Sequence, residues 1–515
     1  MLIGRLLYET ARRWPDNVAI VDGDTVLTYA MWNRQVNAVA RNLAARLGVR
    51  KGDRVGIIAY NSAEQLTAAM AIFKLGAVYV PINFRLSVDE FRYQIEDAGL
   101  TVLFFDTDLA DTVLACASLV KTLVAFRPAG SLPQSVVHYA NLEGDVLQEP
   151  GVSVAPDDPS LIMYTSGTTG RPKGVVLSQR AQYLNTVFCA LELGLTPTDR
   201  TLHIAPLFHV AAFHVMLLPH VLVGAANVIV RRFEAQTVVD ALRKFEITTL
   251  LAVPTQFDRM ADEIPDDAHV GKSLRLALNT GAPIKKRTAD AIRRKITPSL
   301  GSVYGLTESS SLLSILMPEE FDRRGANCIG RPLVGVEIRV VDIRDELDVD
   351  AEVPKGTRGI LIARTDKLMD EYLHRPDKTA QTIREGWLIT GDVVIEDQDG
   401  YFQLVDRADD MIRSGGENIY PQEVERVLLQ HQGVADCAVI GIADEEWGER
   451  VKAFVVRRDS EVSAEQLDAF CLDGRLARYK RPRTIEFVSE IPRNPSGKIL
   501  RVALRSGEDR SRKAS

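Results

Sequence analysis

The segment Tyr164-Thr-Ser-Gly-Thr-Thr-Gly-Arg-Pro-Lys-Gly174 constrains this chain more than any other. Thr165, Ser166, Thr168 and Thr169 supply four hydroxyls. Gly167, Gly170 and Gly174 let the backbone bend and bare its N–H groups, and Lys173 adds a mobile positive charge. Hydroxyls, bare amides and an ammonium together are what a polyphosphate needs for neutralisation. The apolar runs on either side, Leu161–Met163 and Val175–Leu177, suit two strands. A Walker A loop is excluded, because Gly170 is followed by Arg171 and Pro172, and Pro172 has no N–H to donate. A flexible polar linker would rarely combine this density of threonines with a lysine set between proline and glycine.

Strand-like runs alternate with helical spacing through the first four-fifths of the chain. Thr28–Leu47 and Ala63–Leu75 have helical periodicity, while Arg54–Ile58, Ala77–Pro81, Val102–Phe105, Thr122–Ala125, Val228–Val230 and Thr248–Val253 are short apolar runs. Such alternation predicts parallel α/β layers. Leu217–Val230 is apolar but interrupted by His220, Gly224 and Asn227, too short for a membrane span, and reads as buried helix and strand. Past Ser310, Gly335–Val341, Gly359–Ala363 and Val393–Ile395 are strands between glycine turns, which predicts a small β-rich subdomain. Asp406–Asp410 is polar with no apolar residue larger than alanine. Beyond it a compact pattern follows: helix Gln422–Leu429, strands Cys437–Ile440 and Ala453–Val456, helix Ala464–Cys471. This reads as a second, smaller domain on a charged pivot. Ser506–Ser515 is polar and expected to fray.

Composition removes several classes of function. The net charge of −7 leaves no global basic field, so no nucleic-acid partner is expected. The five cysteines are scattered, odd in number and form no C-x-x-C pair, which argues against a disulfide framework or a zinc site. The N-terminal stretch is amphipathic and broken by Arg5, Glu9, Arg12 and Arg13, without the apolar core of a signal peptide. No transmembrane segment is expected, and the location expected is cytoplasmic.

Further motifs follow the phosphate loop in order: Tyr304-Gly-Leu-Thr-Glu308, Thr390-Gly-Asp392, Asp406-Arg407, Gly415-Gly-Glu-Asn418 and Pro492-Arg-Asn-Pro-Ser-Gly-Lys498. Over essentially its whole length the chain resembles the adenylate-forming superfamily of acyl-CoA synthetases, luciferases and peptide-synthetase adenylation domains, in its acyl-CoA synthetase branch. The resemblance implies an α/β fold. A large multi-layer N-terminal domain (1–406), with two α/β subdomains and a small β-barrel-like one, would carry a small mobile α+β lid (410–515) on a hinge (407–409) at Asp409.

The resemblance also implies ATP, Mg²⁺ and coenzyme A as cofactor and co-substrates. Thr165, Ser166, Gly167, Thr168, Thr169, Gly170 and Lys173 would hold phosphates. Gly281, Ala282 and Pro283, in an Asn279–Pro283 turn, would flank the adenine, on whose purine Tyr304 can stack. Gly305 and Thr307 complete that wall, with Thr307 donating to the α-phosphate. Glu308, together with Thr168, would bind magnesium, a hard cation that prefers oxygen. Asp392 would accept the ribose hydroxyls, with Arg407 as the matching ribose or phosphate contact. Lys498 would bridge the attacking carboxylate and the α-phosphate. His209 resembles the family's pocket gate; Val210, Ala212, Phe213, Leu306 and Ser309 would line an apolar acyl pocket beside it. Arg413, Ser414, Gly415, Gly416 and Glu417 would meet CoA after the lid turns.

The expected function is an acid–CoA ligase acting on an apolar monocarboxylic acid, a fatty acid first and an aryl or arylpropenoic acid next. The other readings are a freestanding enzyme that loads a carrier protein and a non-catalytic nucleotide-binding scaffold; Lys173, Glu308 and Lys498 argue against the last. Arg478, Lys480, Arg481 and Arg483 read as a solvated face rather than a CoA-phosphate site. The sequence leaves the oligomeric state open, a homodimer being compatible with it.

Overall fold

Caps fix where the first helices begin and end. Thr28 accepts the Met31 N–H at the start of helix Tyr29–Leu47, and Gly48 closes that helix in the left-handed region at φ 72°. Ser62 caps Ala63–Lys74 in the same way, and Ser87 with Glu90 forms a reciprocal box at the start of Val88–Ala98. Between these helices the strands Arg54–Ile58, Val78–Pro81, Val102–Asp106 and Thr122–Phe126 pair in parallel. They are buried almost throughout, as near-continuous apolar runs in a helix-covered parallel sheet require.

The computed structural model describes residues 2–127, 130, 132–165, 172–344, 347–414, 417–444, 447–458, 462–473, 476–493 and 499–513. They form two compact units: 1–326 with 330–337 and 363–388, and 327–329 with 338–362 and 389–515.

In the first unit one sheet runs Glu371–Tyr372, Lys173–Ser178, Pro159–Thr165, Val78–Pro81, Arg54–Ile58, Val102–Asp106, Thr122–Phe126, Val137–His138. Another sheet of this unit places Leu300–Leu306 between Leu276–Asn279, which it meets in parallel, and Ser311–Leu316, which it meets antiparallel. The alternation predicted from sequence is therefore real, and antiparallel hairpins fall at the Tyr164–Gly174 and Tyr304–Glu308 motifs. A continuous core of apolar residues, including Trp32, Phe73, Tyr79 and Phe213, packs beneath the sheets.

In the second unit, residues 392–396 and Phe402–Arg407 form an antiparallel hairpin. Val434–Asp444 and Gly448–Arg457 form a longer one, with Thr484–Phe487 parallel to its second strand. Helices Pro421–Leu428 and Ala464–Leu472 bury Val424, Leu428 and Leu467 against that sheet. The polar C-terminal stretch expected to fray is instead helical, Arg501–Lys513. Its first turn is held by charge as well as by the buried Leu504: Arg501 donates to Glu425 (2.6 Å) and to the Val439 carbonyl (3.1 Å). All five cysteines are buried free thiols, and no described helix is long and apolar enough to cross a membrane.

Candidate functional site

The phosphate loop has two fixed feet. Its flanking strands pair antiparallel, with Tyr164 opposite Gly174 and Thr165 opposite Lys173. The Tyr164 hydroxyl donates to Asp97 Oδ2 (2.8 Å), and the Tyr93 hydroxyl donates to the Pro172 carbonyl (3.0 Å) while accepting from Arg375 (3.2 Å). Both feet thus stand on helix Val88–Ala98. Burial, reinforced by the Asp97 carboxylate, holds the Tyr164 hydroxyl far above its ordinary pKa, so it stays a donor. Gly174 is closely packed: a Cβ there would lie 3.0 Å from Ile162 and 3.4 Å from Leu373. Ser166, Gly167, Thr168, Thr169 and Gly170 lie outside the described residues. Lys173 is half-buried, with its ammonium 4.1 Å from the centre of the Tyr372 ring.

The Tyr304–Glu308 motif ends one strand of the second hairpin. The register slips between Tyr304 and Gly305, and a single tight turn, Thr307–Ser309, follows. Ser309 is buried, with its hydroxyl donating to the Ser311 carbonyl (2.7 Å) and accepting the Leu306 N–H (3.2 Å). Ser310 sits at φ 55°. Tyr304, Leu306 and Thr307 remain half-buried beside the exposed Gly305. Glu308 turns inward and is only 9% exposed; the Tyr372 hydroxyl donates to its Oε1 (2.6 Å). No hydrogen bond among the described residues uses its Oε2.

One carboxylate oxygen is therefore engaged and the other is left for a cation. That fits magnesium, which takes one or two carboxylates and completes its shell with substrate phosphates and water.

A strap, residues 367–373, locks both motifs. Lys367 is buried, and its ammonium donates to the carbonyls of Ser309 (2.8 Å) and Leu312; Ser310 Oγ donates to the Lys367 carbonyl (2.6 Å). Met369 N–H donates to the Glu308 carbonyl (2.7 Å). On its other edge the strap pairs Tyr372 with Val175, and Leu373 N–H donates to the Gly174 carbonyl (2.8 Å). Burial lowers Lys367 to about 8.

The remaining residues of this unit fall into two groups. Asn279 Nδ2 donates to the Ala282 carbonyl (2.9 Å), shaping a turn that exposes Gly281 and Pro283 and half-exposes Ala282. His209 packs at a tilt against Phe208 (4.4 Å), which meets Phe84 edge-on (5.2 Å). Burial, with a smaller push from Arg85, lowers His209 to about 4, so it is neutral at pH 7, and its Nε2 has no hydrogen-bond partner. Val210 is half-buried next to it. Ala212 and Phe213, expected on the pocket wall, are buried in the core instead. Ala211–Leu217 winds as a π-helix that turns the Phe213 ring onto Phe73 (6.1 Å) and Tyr79 (5.6 Å).

The second unit carries its own set. Asp392 faces Arg407 across the hairpin, 3.1 Å apart, and is buried except for 6% of its surface. Gly391 at φ 71° makes this turn. Asp406 is buried, accepts N–H bonds from Arg407 and Gln422 (2.7 Å each), and is pushed up to about 7 by burial. Asp409 lies in the turn Ala408–Asp410, and the neighbouring Asp410 meets Arg501 (3.5 Å) and Arg505 (3.3 Å). Arg413 is exposed and Ser414 pairs with Glu417 across a short hairpin. Gly415, Gly416 and Lys498 lie outside the described residues. In the basic stretch Lys480 pairs with Glu423 (2.7 Å) and Arg481 with Asp468 (2.5 Å), structural contacts within the domain.

Sequence reasoning missed Tyr93, Asp97, Lys367 and Tyr372. The partners named above lie at least 55 residues away, so no local spacing marks them.

Comparison with known proteins identifies the family. The AMP-binding enzyme family matches residues 7–373, and the AMP-binding enzyme C-terminal domain matches 423–498. A feruloyl-CoA synthase of an Amycolatopsis species is 38% identical over 507 residues, 98% of each chain. A long-chain-fatty-acid–CoA ligase of Mycobacterium tuberculosis is 35% identical over 509 residues, again 98% of each chain. The solved structure of the Bacillus subtilis o-succinylbenzoate CoA synthetase, in complex with ATP and magnesium ion, superposes with a TM-score of 0.84 at 31% identity, covering 97% of this chain and 99% of that one. Two family matches in order along one chain, with end-to-end relatives above 30% identity, place it: this chain belongs to the AMP-binding enzymes of the adenylate-forming superfamily, in the acyl-CoA synthetase branch.

Proposed function

We propose that the protein is an ATP-dependent acid–CoA ligase that activates an apolar monocarboxylic acid, with a fatty acid of medium or long chain as its first substrate class. The observation that carries this reading is the pairing of the Lys173 ammonium with a half-satisfied Glu308 carboxylate through one buried tyrosine, at the feet of a hydroxyl-rich loop. A second reading, an aryl or arylpropenoic acid, is favoured by the 38% identity to a feruloyl-CoA synthase.

A carboxylate acylates poorly because its leaving oxide is too basic, and adenylation replaces that oxide with AMP. In the first step a carboxylate oxygen bonds to the α-phosphorus, the α–β P–O bond breaks, and pyrophosphate leaves. The work is positioning and charge neutralisation. Lys173, Thr165, Ser166, Gly167, Thr168, Thr169 and Gly170 take the outer phosphates, and Thr307 the α-phosphate. Tyr304, Gly281, Ala282 and Pro283 seat the base, and Asp392 with Arg407 the ribose. Glu308 with Thr168 would hold magnesium, which would supply neutralisation of the triphosphate when bound. Lys498 brings two anions together, a contribution on the order of 3 kcal/mol at a transition state.

In the second step the thiol attacks the acyl carbon and AMP departs. The lid, 410–515, turns through 407–409 about Asp409 and offers Arg413–Asn418 to the thiol arm, with Gly415 and Gly416 giving it a close path. Such closure commonly limits turnover. His209, neutral and beside Phe208, gates a pocket walled by Val210 and Leu306 that favours an apolar chain.

The test is a panel of fatty and aryl acids with ATP, magnesium and free CoA. Acyl-CoA and AMP should form together, most rapidly with aliphatic chains. Thioester on an added carrier protein but never on free CoA would replace the ligase reading with carrier loading. Nucleotide binding without turnover of any acid would leave a scaffold.

A further inference from the structure

We propose that Tyr372 is a positioning residue that sets the metal carboxylate and the phosphate lysine together. This rests on the reading of Glu308 and Lys173 given above. Tyr372 is 2% exposed and touches both groups at once: its hydroxyl donates to Glu308 Oε1 (2.6 Å), and its ring carries the Lys173 ammonium at 4.1 Å. The two motifs lie on different sheets of the first unit and share no strand pairing. The strap 367–373 joins them, bonding to the Thr307–Leu312 turn on one side and to strand Lys173–Ser178 on the other. Tyr372 also has its own N–H held by Thr379 Oγ1 (2.9 Å), so its backbone is fixed before any ligand arrives.

The consequence is chemical. With Oε1 occupied by a neutral donor, Glu308 presents one oxygen, Oε2, to a cation, and the carboxylate plane is set by the phenol. Outer-shell donors of this kind fix a ligand's orientation, and removing one typically weakens metal binding by ~10–100-fold. The ring face is electron-rich, so it holds the ammonium without neutralising it and leaves its charge for the phosphates.

The test uses binding without turnover. The rise in melting temperature given by α,β-methylene-ATP, with no acid or thiol present, is titrated with Mg²⁺ for the full-length protein and three variants. Tyr372→Phe keeps the ring and loses only the hydroxyl; the half-saturating Mg²⁺ concentration should rise by ~10-fold or more, while nucleotide affinity at saturating Mg²⁺ stays close to wild type. Tyr372→Leu should add a loss of ~3-fold in nucleotide affinity at saturating Mg²⁺. Glu308→Gln separates the two levels of the proposal. If Glu308→Gln shifts the Mg²⁺ midpoint and a folded Tyr372→Phe does not, Tyr372 has no positioning role and the site reading stands. If neither shifts it, Glu308 is not the metal carboxylate, and the inference falls with that assignment.

Discussion

Replacing Gly305 with alanine should slow adenylation by ~10²-fold while leaving a folded protein. A Cβ at 305 would lie 1.7 Å from the Ser311 carbonyl oxygen, 2.6 Å from its carbon and 2.8 Å from Leu312 Cα. All three are backbone atoms of the paired strand, at the point where its register slips, so no side chain can rotate away. To reach even the 3.0 Å that real Cβ atoms respect, the Tyr304–Ser309 segment must retreat by at least 1.3 Å, the difference between 3.0 and 1.7 Å. Overpacking of this kind costs ~1–3 kcal/mol of stability, which a domain of this size survives. The functional cost is larger, because a shift of about 1 Å at a positioning group is worth ~10²-fold in rate. It falls on Thr307 and Glu308 together. Acid-dependent ATP–pyrophosphate exchange, with a melting curve to certify the fold, measures both. A folded Gly305→Ala variant exchanging at the wild-type rate would refute the placing of these residues at the reacting phosphates.

Other outcomes follow from separate features. Burial lowers His203 to about 4 and His214 and His220 to about 3, from 6.5. Folded values below the unfolded one give stability that is present above pH 6.5 and lost as pH falls. With His209, likewise lowered to about 4, unfolding at pH 5 has the histidines take up about four protons; Asp370 and Asp406, which burial raises to about 6 and about 7, oppose this, so stability should drop by roughly 4 kcal/mol from pH 7 to 5. Urea midpoints across that range that did not move would contradict it. Tyr93→Phe releases the Pro172 foot of the phosphate loop, and the loss of ~1 kcal/mol should appear as a roughly fivefold rise in KM for ATP with little change in melting temperature. Lys498→Ala should cut adenylation by ~10²–10³ yet spare thioester formation from presynthesised acyl-adenylate. Equal losses in both half-reactions would remove the swinging lid.

Much of the fold was legible because its signals are local. Strand runs such as Arg54–Ile58 and helices such as Tyr29–Leu47 carry their own periodicity and caps, and the structure forms them within a residue or two of the expected bounds. The motif residues stood out because the chemistry expected of them calls for particular residue types at short spacing. What holds them was not. Tyr372 meets Glu308 across 64 residues and Lys367 meets Ser309 across 58, contacts made by folding alone. Phe213 misled because an apolar run looks the same whether it lines a pocket or fills a core; the π-helical turn decides. The C-terminal helix misled because Arg501 ties it down through a buried ion pair with Glu425, and a polar sequence gives no sign of that partner.

Transfer of oxygen tests the chemistry most directly. With the carboxylate of the acid labelled with ¹⁸O, and ATP, magnesium and CoA supplied, the attacking oxygen should remain on phosphorus when the thiol takes the acyl group. AMP carrying one labelled oxygen in its phosphate, formed together with acyl-CoA, is the expected product. Label-free AMP, or ADP with orthophosphate, would show that the acid never bonds to the α-phosphorus.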